Sequence, residues 1–169
     1  MEIKQIKNTI LIFTDLDETL LKENKYNYNI LNSFIKKLLK YGCIIIPVTS
    51  KTYLEVIDIL THIKYKFPFS VENGAAYYLP IKNTKDYIYK KILNPYAVNK
   101  TIIRKILNKN IFKNYLQNIK FIENLPSIDQ KKITKLNNKQ LENFNSRQYS
   151  IPVILNGDKY FKKNLKLLF

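Results

Sequence analysis

A single cysteine, Cys43, stands among the 169 residues, so no disulfide can close within the chain and the paired Cys/His spacing of a zinc site is missing. A reducing, cytoplasmic setting is the expectation. Long apolar runs are equally scarce. The first one, Ile10-Leu11-Ile12-Phe13, is broken almost at once by Asp15, Asp17 and Glu18, and no window approaches the roughly 20 apolar residues that a membrane span requires. Neither secretion nor membrane insertion is predicted. Arginine is rare as well: Arg104 and Arg147 are the only two, against 27 lysines, whereas a reader of DNA bases draws on the bidentate arginine fork.

What is abundant explains the formal net charge of +16. The 27 Lys, 25 Ile, 20 Asn and 13 Tyr make up half of the chain, and all four types share A/T-rich codons. Base composition, rather than a phosphate-tracking groove, therefore accounts for most of the charge. No specific nucleic-acid partner is expected, only weak, salt-sensitive adsorption to polyanions. With 46% hydrophobic residues, including 9 Phe, the chain has enough apolar material for a packed core.

The order of elements predicts an α/β class. The run Asn8–Thr14 is short, β-branched and apolar, as a buried parallel strand is. From Asn29 to Tyr41, Ile30, Leu31, Phe34, Ile35, Leu38 and Leu39 recur at helical spacing, and Gly42 sits where a C-terminal cap belongs. Cys43–Val48 is a second buried strand, in which Cys43 is a small core residue. Tyr53–Ile63 repeats the helical pattern, which makes the lone His62 a helix-face residue, and Phe69–Val71 is a third strand. Strand, helix, strand, helix, strand opens a doubly wound parallel sheet. The composition changes after Pro80, which predicts a core module over 1–80 and a second module over 81–169. The second contains helices over Asn99–Asn108, Ile111–Tyr115 and within Asp129–Phe144, and strands at Lys120–Ile122 and Ile151–Leu155.

Ligands in such sheets gather beyond the carboxyl ends of the strands, and three polar clusters fall there: Asp15-Leu16-Asp17-Glu18-Thr19, Thr49-Ser50-Lys51-Thr52 and Glu72-Asn73-Gly74. Two carboxylates two positions apart face one pocket if the chain turns sharply after the strand. They then suit a hard, oxygen-bound cation such as Mg²⁺, or divide into nucleophile and general acid/base. The plainer alternative is a solvated turn. Lys51 is either a phosphate partner or a solvated group at a helix start, and Asn73-Gly74 either approaches a ligand or forms an ordinary tight turn. Arg147, in a chain that otherwise uses lysine, suggests bidentate grip on a carboxylate or phosphate.

These motifs carry a resemblance. Four hydrophobic residues followed by Asp15-Leu16-Asp17-Glu18-Thr19 resemble the first signature of the haloacid dehalogenase superfamily, and Ile44–Val48 ending in Thr49-Ser50 resembles the second. Thr49-Ser50-Lys51-Thr52, Pro68–Ala76, Asn94-Pro95-Tyr96 and Arg147–Pro152 are similar to the mannosyl-3-phosphoglycerate phosphatases of its Cof-type branch. The resemblance implies a Mg²⁺-dependent phosphomonoesterase that releases mannosylglycerate, a compatible solute, through an aspartyl-phosphate. Asp15 is implied as nucleophile and Asp17 as general acid/base, with both at the metal. Thr49, Ser50, Lys51, Asn73 and Gly74 are implied at the phosphoryl group, and Arg147 with Ser150 at the phosphorylated sugar-acid substrate. The fold implied is a haloacid-dehalogenase-like core over 1–80 with an α+β cap over 81–169.

The sequence also departs from that pattern. Glu18 stands where the family usually has Gly, Ile151 replaces an acidic residue of the cap, and Asn156-Gly157-Asp158 is not the family's late metal signature. The later core strands are absent, so the core half and the cap are both expected to be incomplete. An exposed hydrophobic edge then predicts instability, aggregation or completion by a second chain. A noncatalytic remnant or binding module, or a phosphatase for another sugar phosphate, is the alternative.

Overall fold

The computed structural model describes residues 9–21, 28–82, 87–109 and 116–156. Contacts divide the chain into two compact units, Met1–Ala97 and Val98–Phe169. In the first, β1 (Ile10–Thr14) and β2 (Cys43–Pro47) run parallel with Ile10 opposite Cys43 and Thr14 opposite Pro47. Helix α1 (Tyr28–Lys40) connects them. It buries Asn32 and Ile35, and ends where Gly42, at φ +75°, lets the chain leave through a conformation other residues resist. Asn32 is satisfied in the interior: its Oδ1 accepts from the Lys64 amide at 2.9 Å.

Helix α2 (Tyr53–Leu60) opens with a reciprocal cap, in which the Glu55 amide donates to Thr52 Oγ1 at 3.2 Å and the Thr52 amide to Glu55 Oε2 at 2.8 Å. The periodicity predicted a longer helix, but Thr61 closes it. His62 therefore lies in the turn beyond, stacked on Tyr28 at 4.9 Å. Strand β3 (Phe69–Val71) touches β2 through a parallel bridge from Ser70 to Val48 and pairs antiparallel with β4 (Ala76–Lys82), which pairs with β5 (Tyr87–Leu93). Leu16, Ile35, Ile45, Val56 and Phe69 form the core, extended by Tyr78 stacked on Tyr53 at 4.4 Å and on Phe69 at 5.2 Å. The hairpin is the element that composition concealed: β5 is paired residue by residue with β4.

One expectation is reversed. β1 was predicted to be buried, yet Ile10, Leu11 and Phe13 are 55%, 51% and 65% exposed. Among the described residues β1 pairs only with β2, so nothing described covers its other edge.

In the second unit, α3 (Lys100–Leu107) is capped by Asn99, whose Oδ1 accepts from the Thr101 amide at 2.9 Å. Strands β6 (Ile119–Phe121) and β7 (Val153–Leu155) pair antiparallel. Between them lie α4 (Ser127–Thr134) and α5 (Asn138–Asn145), joined by a hydrogen bond from Asn145 Nδ2 to Gln130 Oε1 at 2.9 Å. The predicted helix Ile111–Tyr115 lies outside the described residues, as do Gly157 and Asp158. No helix among the described residues is long and apolar enough to cross a membrane.

Candidate active site

The turn after β1 is sharp, as the paired-carboxylate reading requires. Asp15 Oδ1 accepts from the next amide, Leu16, at 2.7 Å. The Leu21 amide donates to the Leu16 carbonyl at 2.8 Å and the Leu20 amide to that of Asp15 at 3.3 Å. Burial of Leu16 and Leu21 pins the loop from below, which leaves Asp15, Asp17 and Thr19 exposed. Glu18 takes φ +55°, a region where glycine is at ease and a side chain is strained. The glycine of the related signature therefore has a backbone reason, and Glu18, itself exposed, meets that requirement at a cost.

The second cluster continues β2. The Val48 amide donates to the Thr14 carbonyl at 2.8 Å and the Thr49 amide to that of Ser70 at 3.2 Å, which ties the strand ends together. Thr49 is buried; Ser50 is exposed. The Asn73 amide donates to the Thr49 carbonyl at 3.0 Å, and the Glu72 amide to the Lys51 carbonyl at 2.9 Å. Thr49 Oγ1 accepts from the Lys51 amide at 3.2 Å. Across this seam Lys51 Nζ meets Asp17 Oδ2 at 2.9 Å. The three clusters, separate in sequence, are thus one bonded assembly.

The third cluster is a turn of three successive positive φ angles: Glu72 at +47°, Asn73 at +59° and Gly74 at +90°. Its exit is held by Asn94, whose Nδ2 donates to the Gly74 carbonyl at 3.0 Å and whose amide donates to the Ala75 carbonyl at 3.0 Å. Sequence reasoning had placed Asn94 in a resembling segment without giving it this bracing role, because the hairpin that returns it to the turn was not foreseen.

Arg147 and Ser150 belong to the second unit. Arg147 is buried over the Phe144 ring at 4.5 Å from its centroid, and Nη1 donates to Ser150 Oγ at 3.2 Å. The other arginine has a structural task that sequence did not reveal. Arg104 lies 4.8 Å over Phe121 and joins Lys100 on Glu123, with Lys100 Nζ 2.9 Å from Glu123 Oε2. Burial pushes the Glu123 carboxyl up, but the hydrogen bonds from Arg104 and Lys100 outweigh it and hold it below its ordinary value of 4.5.

Among the described residues no group of three or more His, Cys, Asp or Glu side chains is arranged to hold a metal ion. The exposed Asp15 and Asp17 carboxylates are oxygen ligands of the type that a hard cation such as Mg²⁺ takes.

The model of the haloacid dehalogenase-like hydrolases matches residues 12–166. A glucosyl-3-phosphoglycerate/mannosyl-3-phosphoglycerate phosphatase of Persephonella marina is 30% identical over 162 residues, covering 90% of this chain and 58% of that protein. One of the same description from Methanococcoides burtonii is 34% identical over 70 residues, covering 41% of this chain and 26% of that protein. A solved phosphatase of the haloalkanoate superfamily from Bacteroides thetaiotaomicron superposes with a TM-score of 0.51 at 14% identity, covering 99% of this chain and 63% of that one. The chain spans little more than half the length of the longer-matched curated relative.

Proposed function

Because the chain belongs to the haloacid dehalogenase-like hydrolase family, we propose that it carries the nucleophile-bearing part of a Mg²⁺-dependent phosphomonoesterase acting on mannosyl-3-phosphoglycerate, with the glucosyl analogue as a second substrate. The names of the two curated relatives support the hexosyl-phosphoglycerate class. The observation that carries the reading is the bonded assembly of Asp17, Lys51, Thr49 and the Glu72–Gly74 turn.

On this reading the Asp15 carboxylate attacks phosphorus while the bond to the glycerate oxygen breaks, and Asp17 gives that oxygen its proton. Water then attacks the aspartyl-phosphate, losing its proton to Asp17, and phosphate leaves. Thr49 and Ser50 supply hydroxyl donors to the phosphoryl oxygens, and the Asn73-Gly74 backbone approaches them closely. Asp15 and Asp17 would hold Mg²⁺, which when bound would supply charge neutralisation at the phosphoryl group. The first unit serves as core and the second as cap, where Arg147 and Ser150 face the glycerate carboxylate.

The test is release of phosphate from mannosyl-3-phosphoglycerate by the purified chain with Mg²⁺. Asp15→Asn is expected to remove the activity and EDTA to suppress it reversibly. Release that survives Asp15→Asn contradicts the assignment.

A further inference from the structure

Lys51 occupies a position that no other residue of the assembly shares. Its amide is bound to Thr49 Oγ1, its carbonyl accepts from the Glu72 amide, and its ammonium reaches Asp17. A residue whose amide is pinned to its own strand end and whose carbonyl is pinned to the neighbouring one starts its side chain from a fixed backbone, which removes part of the freedom that usually makes lysine a loose point charge. The Lys51 side chain is 21% exposed and that of Asp17 is 49%, so the cation is the more enclosed partner and the carboxylate the more open one. We propose that Lys51 is a positioning residue for Asp17: it fixes the acid/base carboxyl over the nucleophile's loop instead of binding the phosphoryl group itself. The proposal rests on the phosphatase reading, since it assigns Lys51 a task within that reaction.

The physical argument is one of competition. An ammonium 2.9 Å from one carboxylate oxygen has one of its three N–H donors committed, and its charge matched, before any substrate arrives. Meanwhile the loop carrying Asp17 is held, among the described residues, by the burial of Leu16 and Leu21, by the backbone bonds of Leu20 and Leu21, and by a bridge between Asp17 and Leu21. With the turn strained at Glu18, the Lys51 contact is the one described side-chain link from Asp17 to the rest of the site. Small displacements of a proton donor are costly, because proton transfer requires hydrogen-bond reach to the departing oxygen.

Leaving groups separate the two roles. An alkyl oxygen needs the proton from Asp17 as it departs; a nitrophenolate does not. In Lys51→Met, kcat on mannosyl-3-phosphoglycerate is expected to fall on the order of 100-fold, while kcat on p-nitrophenyl phosphate falls less than about 10-fold. The inhibition constant of inorganic phosphate is expected to stay within about threefold, and Lys51→Arg to recover most of the alkyl-ester rate. Equal losses on both esters, together with weakened inhibition by phosphate, overturn the proposal in favour of a phosphoryl ligand. NMR of the lysine side chain decides the pairing without turnover: the Lys51 Nζ resonance should move in Asp17→Asn and hold its position in Asp15→Asn. No response to Asp17→Asn overturns the proposal whatever the rates. A response with neither ester hydrolysed by the wild-type chain overturns the phosphatase reading instead.

Discussion

Two ionic clusters invite comparison, one in each unit. Glu123 is enclosed by Arg104 and Lys100, each drawn from α3, and Arg104 is backed by the Phe121 ring. Asp17 meets a single lysine and keeps half of its side chain open to solvent. The first arrangement uses up its carboxylate, which is what a cluster built for stability does. The second holds its carboxylate in place and leaves it approachable, and it joins two loops, whereas the first joins α3 to the turn that follows β6. Charge pairing in this chain therefore serves two ends, and the geometry around the carboxylate distinguishes them.

The sharpest way to break the comparison is to remove each acid. Asp17→Asn, which removes the acid of the open cluster, is expected to lower phosphate release by at least about 10²-fold, with unfolding stability changed by less than about 1 kcal/mol. Glu123→Gln should reverse the pattern, costing about 1.5–3 kcal/mol in denaturant unfolding of the second unit, because two cations lose their shared acceptor. If both substitutions act on stability alike, the distinction fails.

The pH dependence sharpens the contrast. The Glu123 carboxyl lies below its ordinary 4.5, so the unfolded chain binds its proton first as pH drops. Its contribution is present above 4.5 and is lost as pH falls through the depressed value. Tyr89 behaves in the opposite sense. Burial first, then the neighbouring Tyr53, push its phenol up to about 12, against a smaller opposing hydrogen bond at the Phe67 backbone. Stability from Tyr89 is present below 10 and is lost as pH rises from there to about 12. Unfolding followed against pH is expected to show the second unit failing first in acid and the first unit in alkali.

The smallest expected effect concerns the loop between the aspartates. Glu18→Gly relieves a side chain at φ +55° and should raise stability by about 0.5–1 kcal/mol, since the strain removed exceeds the extra unfolded-state entropy of glycine. A loss of stability would show that Glu18 has a role the turn geometry does not explain.

Much of the first unit was legible because its signals are local. Apolar periodicity placed α1, and short apolar runs placed β1 to β3, with Gly42 marking a helix end. The polar clusters were found because a parallel strand that stops at a run of acids or hydroxyls leaves them at one edge. Less was visible where long-range pairing decides. The β4-β5 hairpin includes Pro80 and several lysines, and the change of composition after Pro80 read as the start of a second module rather than as a paired strand. The exposure of β1 was hidden for a different reason: composition reports what a strand is suited to, and Phe13 is suited to a covering that no described residue provides. The Lys51 to Asp17 contact joins residues from two strand ends, and its position near a helix start left a solvated lysine equally open.

The central claim is that three strand-end clusters form one phosphoryl site. Beryllofluoride, which mimics a phosphoryl group on an aspartate, can be added with Mg²⁺ to the isotope-labelled chain while backbone amide signals are followed. A single site predicts that the amides of Leu16, Ser50 and Gly74 shift together, at one saturating concentration, and that Asp15→Asn abolishes all three responses. Shifts confined to one cluster, or surviving in Asp15→Asn, would contradict it.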